Sequence, residues 1–211
     1  MIKIIFIINK IIKQSITKMV NLAIAIVGMT NAGKTEVANF LRSKGFGYVR
    51  LGELTELKLN ELNLPNNEEN NRKVREKLRE EYGNDAYAKL NFPNIKQLLK
   101  QKDVVIDGMY SWSEYKFFKQ NLKNFVTVAV YASPAIRYER ARHRLERSTK
   151  DYFKNLSPES RDYAEIENIE KGGPIAMADY TINNNVEGIA HLKKELNKFW
   201  RWLNGIKTRL G

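Results

Sequence analysis

Leu22-Ala-Ile-Ala-Ile-Val27, followed at once by Gly28-Met-Thr-Asn-Ala-Gly33-Lys34-Thr35, is the stretch on which the reading of this sequence turns. The first half is a continuous apolar run of strand length, as a strand covered on both faces of a parallel sheet requires. The second half fits G-x-x-x-x-G-K-[ST] at every fixed position. That spacing lets a loop wrap an anion with successive backbone N–H groups pointing inward, the glycines supplying dihedrals that other residues resist. A helix over residues 35–43 then aims its positive dipole end at the same anion. The backbone of Gly28, Met29, Thr30, Asn31, Ala32 and Gly33 thus forms a phosphate cradle. The Lys34 ammonium is placed for β- and γ-phosphates and the Thr35 hydroxyl for a magnesium ion.

Outward from this loop, strands and helices alternate. Val37, Phe40 and Leu41 mark one face of the first helix, and Tyr48-Val-Arg-Leu51 reads as a second strand. Residues 53–100 are polar and helical, broken at Pro65 and the Asn-rich stretch 66–71. Val104-Val-Ile-Asp107, Phe125–Tyr131 and a weaker Ala178–Ile182 supply three more strands, and residues 187–204 close the chain as an amphipathic helix. This alternation predicts a three-layer α/β/α fold around a five-stranded parallel sheet. A chain of 211 residues suits one full core, so residues 19–211 read as a single domain. Within it lie a helical insertion over 53–100 and a basic lid over 134–160.

Residues 1–18 hold many isoleucines, four lysines and no acid. Lys10 and Lys13 interrupt the run well before the roughly 20 apolar residues that a membrane span needs. The segment reads as an accessory extension, with an edge strand, a docked helix or a basic membrane-surface anchor as the alternatives. No transmembrane segment is expected, and a cytoplasmic protein is. With no cysteine, disulfide scaffolds, Cys-ligated zinc, iron–sulfur clusters and thiol nucleophiles are excluded. Lys and Arg number 36 against 24 Asp and Glu, a net charge of +12 that calls for an anionic partner: nucleic acid, membrane or a phosphorylated small molecule.

Asp107 places a carboxylate at the carboxyl end of a parallel strand, where ligands bind in such sheets and where it can hold magnesium together with Thr35. Asp103, at the start of the same strand, lies at the wrong end. The N-K-x-D element that reads guanine in GTPases does not occur downstream, and a large mechanical ATPase would need more chain. A basic helix does follow the fourth strand. Its Arg137, Arg140, Arg144 and Arg147 fall at 3-4-3 spacing, four guanidiniums on one helical face beside the apolar stripe Tyr138, Ala141 and Leu145. Arginine suits bidentate phosphate contact and the charge that develops in phosphoryl transfer. Such a stripe is a triphosphate-binding lid, a solvated basic face, or a face that binds nucleic-acid backbone. Arg161 is a further candidate for the triphosphate or for an ion pair with Asp162 or Glu165. Arg72, Arg75 and Arg79 share a face of the insertion, for substrate contact or solvent. Glu53, after the second strand, is a candidate proton acceptor for an attacking hydroxyl, or a helix N-terminal charge. Trp112 either packs or stacks on a substrate ring.

The ordered motifs resemble the adenylate-kinase-like branch of P-loop kinases, and within it a prokaryotic group described as dephospho-CoA-kinase-like. The matching pieces are the loop, Leu51-Gly52-Glu53, Lys77-Leu-Arg79-Glu-Glu-Tyr-Gly83, Val105-Ile-Asp107-Gly108 with Ser113-Glu114, Ala132-Ser133-Pro134 leading to Arg137, Arg161-Asp162 and Ala178-Asp179-Tyr180. The resemblance implies a kinase fold with a mobile lid, ATP and Mg2+, and transfer of the γ-phosphoryl group to a small nucleotide or coenzyme-precursor acceptor. On this reading Lys34, Asp107, Arg144 and Glu53 are catalytic, and Arg140 and Arg161 bind the nucleotide. Three positions depart from the family. Glu56 and Ser111 stand where adenylate kinases carry acceptor-binding arginines, and Tyr110 stands where the dephospho-CoA-kinase-like group often has one. The alternative is an ATP-binding assembly or regulatory factor acting on RNA or protein, with slow hydrolysis only.

Overall fold

The computed structural model describes residues 21–146, 157–186 and 188–210, with side chains up to His143 in the first stretch. The expectations for residues 1–18, for the Arg144 side chain and for Arg147 lie outside the described residues.

Five strands, β1 (Ala23–Val27), β2 (Gly47–Arg50), β3 (Val104–Asp107), β4 (Phe125–Tyr131) and β5 (Tyr180–Asn183), form one sheet in the order β2-β3-β1-β4-β5. Every pairing is parallel. The helices between them are α1 (Lys34–Ser43), α2 (Glu53–Glu61), α3 (Glu68–Tyr82), α4 (Ala86–Leu99), α5 (Trp112–Asn121), α6 (Pro134–Glu146), α7 (Pro158–Ile169), α8 (Gly172–Ala176) and α9 (Ile189–Leu210). The α/β/α expectation holds. The second and fifth strands sit one or two residues away from their expected spans, and α9 runs six residues past its expected end at 204.

The apolar run of β1 is continuous because both sheet faces are covered. Ala23, Ala25 and Val27 point into a core shared with Leu59, Val74, Leu78, Ile95, Tyr115 and Phe118 of α2–α5. Leu22, Ile24 and Ile26 point the other way, onto Val37 and Leu41 of α1 and Leu192, Leu196, Phe199 and Leu203 of α9. The two faces draw on alternate residues, as the pleat of a strand requires.

This layering fixes where a ligand can bind. The helix after β1 covers one face and the helix after the adjacent β3 covers the other. The two chains therefore diverge at the carboxyl ends of β1 and β3 and open a crevice there. At the opposite edge Asp103 is structural: it accepts the Leu22 N–H at 2.8 Å and pairs with Lys207 of α9 at 2.5 Å.

Candidate functional site

The loop between β1 and α1 occupies that crevice. Gly28 (φ 139°) and Gly33 (φ 104°) take backbone conformations that L side chains rarely adopt. A Cβ on Gly28 would also collide with the Val130 carbonyl oxygen of β4. Lys34 folds back over the loop and donates to the carbonyls of Gly28 (2.8 Å) and Met29 (3.0 Å). Burial first, and then the neighbouring Lys171 ammonium, depress the Lys34 ammonium to about 7 against the opposing pull of Glu165 and Asp107. Thr35, in the first turn of α1, is exposed.

Asp107 pairs in register with Ile26, beside the start of the loop. Its Oδ2 accepts from the Tyr48 hydroxyl at 2.8 Å, which orients the carboxylate. Burial and the Asp107 charge together push the Tyr48 hydroxyl up, so it remains a donor. One carboxylate and one hydroxyl are hard oxygen donors suited to magnesium, which takes its remaining ligands from phosphates and water. Among the described residues no cluster of three or more acidic, His or Cys side chains could hold a metal alone. The donor set therefore fits an ion that arrives with a phosphorylated ligand.

The basic stripe of α6 divides into different uses. Arg137 is buried; its guanidinium meets Asp162 of α7 through both nitrogens (2.6 and 2.9 Å), and donates to the Ala132 (3.0 Å) and Thr30 (3.3 Å) carbonyls. Arg137 is thus a clamp that ties α6 to α7 and to the loop, not an open phosphate contact. Arg140 reaches the carbonyls of Asn31 (3.4 Å) and Asn184 (3.0 Å). Asn184 in turn donates to the Ala32 carbonyl at 2.8 Å. Between them lies a cavity of about 250 Å³ lined by Gly33, Glu36, Arg140, Asn184, Ile189 and Leu192, among others.

Arg161 pairs with Glu165 at 3.2 Å, one of the two partners its position allows. Glu165 also receives the Thr30 hydroxyl of the loop (3.2 and 3.3 Å) and the Lys171 ammonium. Burial raises the Glu165 carboxyl, but Lys171 and Arg161 outweigh it and hold the group below its ordinary range. Lys171 is 2% exposed, and its ammonium lies 4.5 Å from the centre of the Tyr110 ring. The same ring has the Lys34 ammonium 5.8 Å from its centre.

The other predicted residues fall outside this cluster. Glu53 is exposed in the first turn of α2. Arg72 is exposed near Glu76 (3.8 Å), and Arg75 pairs with Glu68 at 2.6 Å. Arg79 sits over the Tyr87 ring with a buried Nε that has no hydrogen-bond partner. Trp112 packs: it stacks on Tyr115 at 4.9 Å and covers Gly173. The three family departures acquire structural reasons. Glu56 is neutralised by a bidentate pair with Arg50 of β2 (3.0 and 2.5 Å), so it adds no unbalanced negative charge. Ser111 is the N-cap of α5, bonded to the Glu114 N–H at 3.0 Å in a capping box and donating to the Asn84 carbonyl. Tyr110 is the ring beneath the two lysines; burial, above all, pushes its hydroxyl up to about 12.

Sequence reasoning missed Tyr48, Asn184 and Lys171, and considered Glu165 only as an ion-pair partner. None belongs to a spaced motif; each reaches the site through tertiary packing.

The loop, the strand-end carboxylate and the sheet order define a P-loop domain with a kinase-like fold. Two solved structures have this fold: a shikimate kinase from Bacteroides thetaiotaomicron (TM-score 0.56, 16% identity, covering 87% of this chain and 98% of that one) and a gluconokinase from Sinorhizobium meliloti (TM-score 0.55, 14% identity, 91% and 99%). The AAA domain family matches residues 24–170. A UPF0200 protein of Thermococcus sibiricus is 31% identical over 192 residues, which are 89% of this chain and 95% of that protein. The chain belongs to the AAA domain family of P-loop proteins and to the UPF0200 proteins.

Proposed function

We propose that this protein is an ATP-dependent phosphotransferase that moves the γ-phosphoryl group to a small acceptor of the nucleotide or coenzyme-precursor kind. The observation that carries the reading is the convergence of the Gly28–Thr35 loop, with Lys34 folded over it, and the Tyr48-oriented Asp107 in one crevice.

The cavity beside Gly33 would take the nucleotide base. Its Arg140 guanidinium is planar and its far wall, Ile189 and Leu192, is apolar, a combination suited to a flat heterocycle. From there the phosphates run along the loop amides toward the Lys34 ammonium, which lies over Gly28 and Met29 at the start of the loop. Thr35 and Asp107 would hold magnesium, which when bound neutralises charge on the phosphate oxygens. Lys34 exchanges its two loop carbonyls for phosphate oxygens. Arg161, which shares Glu165 with the Thr30 hydroxyl of the loop, is proposed to bind the triphosphate, and Arg144 is proposed to join it from α6. Glu53, exposed in the first turn of α2, remains the proposed proton acceptor.

An anionic acceptor is supported by Arg79. A buried guanidinium nitrogen without a partner is costly unless a ligand completes it. The burial of Arg137 in an ion pair argues against the alternative of a solvated nucleic-acid face, because part of the stripe is already spent inside the molecule.

The test is a thermal-shift screen of ATP·Mg, nucleoside monophosphates and dephospho-CoA, followed by a transfer assay with labelled ATP. ATP·Mg is expected to raise the melting temperature by mass action, and Lys34→Ala to remove most of that shift. An unchanged shift in the variant would sink the phosphate-cradle assignment.

A further inference from the structure

We propose that Lys171 is a second phosphate-binding ammonium of this site, with the Glu165 carboxylate resting in the position that the terminal phosphate of a nucleoside triphosphate takes. The inference rests on the phosphotransferase reading and deepens it.

Three donors from different parts of the chain converge on Glu165: the Thr30 hydroxyl of the loop, Nε of Arg161 on α7, and the ammonium of Lys171 just before α8. A hydroxyl, a guanidinium and an ammonium around one pair of oxygens are the donors that recognise a phosphate equally well. Lys171 is carried there by a specific turn. Glu170 adopts the left-handed conformation (φ 53°) that ends α7, and the Lys171 N–H then donates to the Glu165 carbonyl at 3.2 Å. A non-glycine residue held in that region is strained, and such strain persists where the surroundings require the geometry.

Position selects the terminal phosphate. The proposed base cavity lies at Gly33, and the Lys34 ammonium, at the other end of the loop, shares the Tyr110 ring with Lys171. Tyr110 follows the Asp107-Gly108 strand end, so its contact with Lys171 sets that ammonium on the Asp107 side of the site, near Lys34. A structural role explains the arrangement poorly. A buried Lys–Glu pair contributes little net stability compared with apolar residues of the same size. Here it also places a second ammonium beside Lys34, a repulsion that Glu165 and Asp107 oppose and that a bound phosphate would oppose further.

Titration calorimetry of the full chain with ADP and with ATP·Mg tests the proposal through two variants. Lys171→Met should leave ADP affinity within about twofold and weaken ATP·Mg about ten- to a hundredfold, the worth of one charge-assisted contact. Glu165→Gln, which removes the competing charge, should tighten ATP·Mg several-fold with little change for ADP. If Lys171→Met fails to fold, Glu165→Gln alone decides. An ATP-to-ADP preference unchanged in Lys171→Met, or ATP·Mg binding that is equal or weaker in Glu165→Gln, overturns the inference while leaving the phosphotransferase reading intact. Failure of the wild-type chain to bind either nucleotide overturns both.

Discussion

Arg137→Ala separates a structural clamp from a phosphate contact, because the two roles predict opposite readouts. The guanidinium is 4% exposed and makes two contacts to Asp162 and one each to the carbonyls of Ala132 and Thr30. Truncation leaves the Asp162 carboxylate buried, with the Tyr138 hydroxyl at 3.1 Å as its remaining side-chain partner among the described residues. Removing one member of a buried ion pair costs about 3–5 kcal/mol, chiefly through the uncompensated charge. For a chain of this size each kcal/mol lowers the melting temperature by about 2–4 °C, so a fall of roughly 6–20 °C is expected. The pair joins α6 to α7, so part of the loss should appear as local opening. Hydrogen exchange across 158–169 should accelerate in the ligand-free variant. Arg137→Met combined with Asp162→Asn should recover much of the stability, since no buried charge is then left alone. The reasoning is refuted if Arg137→Ala melts within about 1 kcal/mol of wild type and instead loses ATP binding. That outcome would return Arg137 to the open phosphate-binding stripe.

Asp107→Asn should keep nucleotide binding and lose most phosphoryl transfer if, as proposed, Asp107 positions a magnesium ion; near-normal turnover across a magnesium titration would count against it. Gly28→Ala should cost about 2–3 kcal/mol in urea unfolding, since the residue sits at φ 139° and its Cβ meets the backbone of β4, which cannot move aside; a loss below about 0.5 kcal/mol would contradict this. Burial raises the Glu114 carboxyl above its ordinary value of 4.5, although the Ser111 and Tyr110 N–H groups oppose the shift. The native state then keeps a proton that the unfolded chain has released, so this group makes stability fall as pH rises from 4.5 through the raised native value. Glu114→Gln keeps an acceptor for both N–H groups and should remove that slope, and identical pH profiles of denaturant stability for the two proteins would refute it.

The sequence by itself determined what depends on neighbours along the chain. The all-apolar β1, the glycine spacing of the loop and the helix start behind it are local consequences of residue type, and together they require a parallel sheet with an anion cradle at its carboxyl edge. Asp107 was legible for the same reason, as an acid that ends an apolar strand. Tertiary structure alone decided how the charges are shared. Helical spacing put Arg137 and Arg140 on one face, but only the docking of α7 against α6 buries the first in an ion pair and leaves the second lining a cavity. Glu56 stands in sequence where an acceptor-binding arginine is expected, but only the fold shows it paired with Arg50 of β2. Lys171 lies 137 positions after Lys34 in the numbering, with no motif around it, and meets the Tyr110 ring only because a left-handed turn at Glu170 folds the chain back. Coulomb energy depends on distance and burial, neither of which is a property of spacing along a chain, so partners of this kind become visible only once the fold has brought them together.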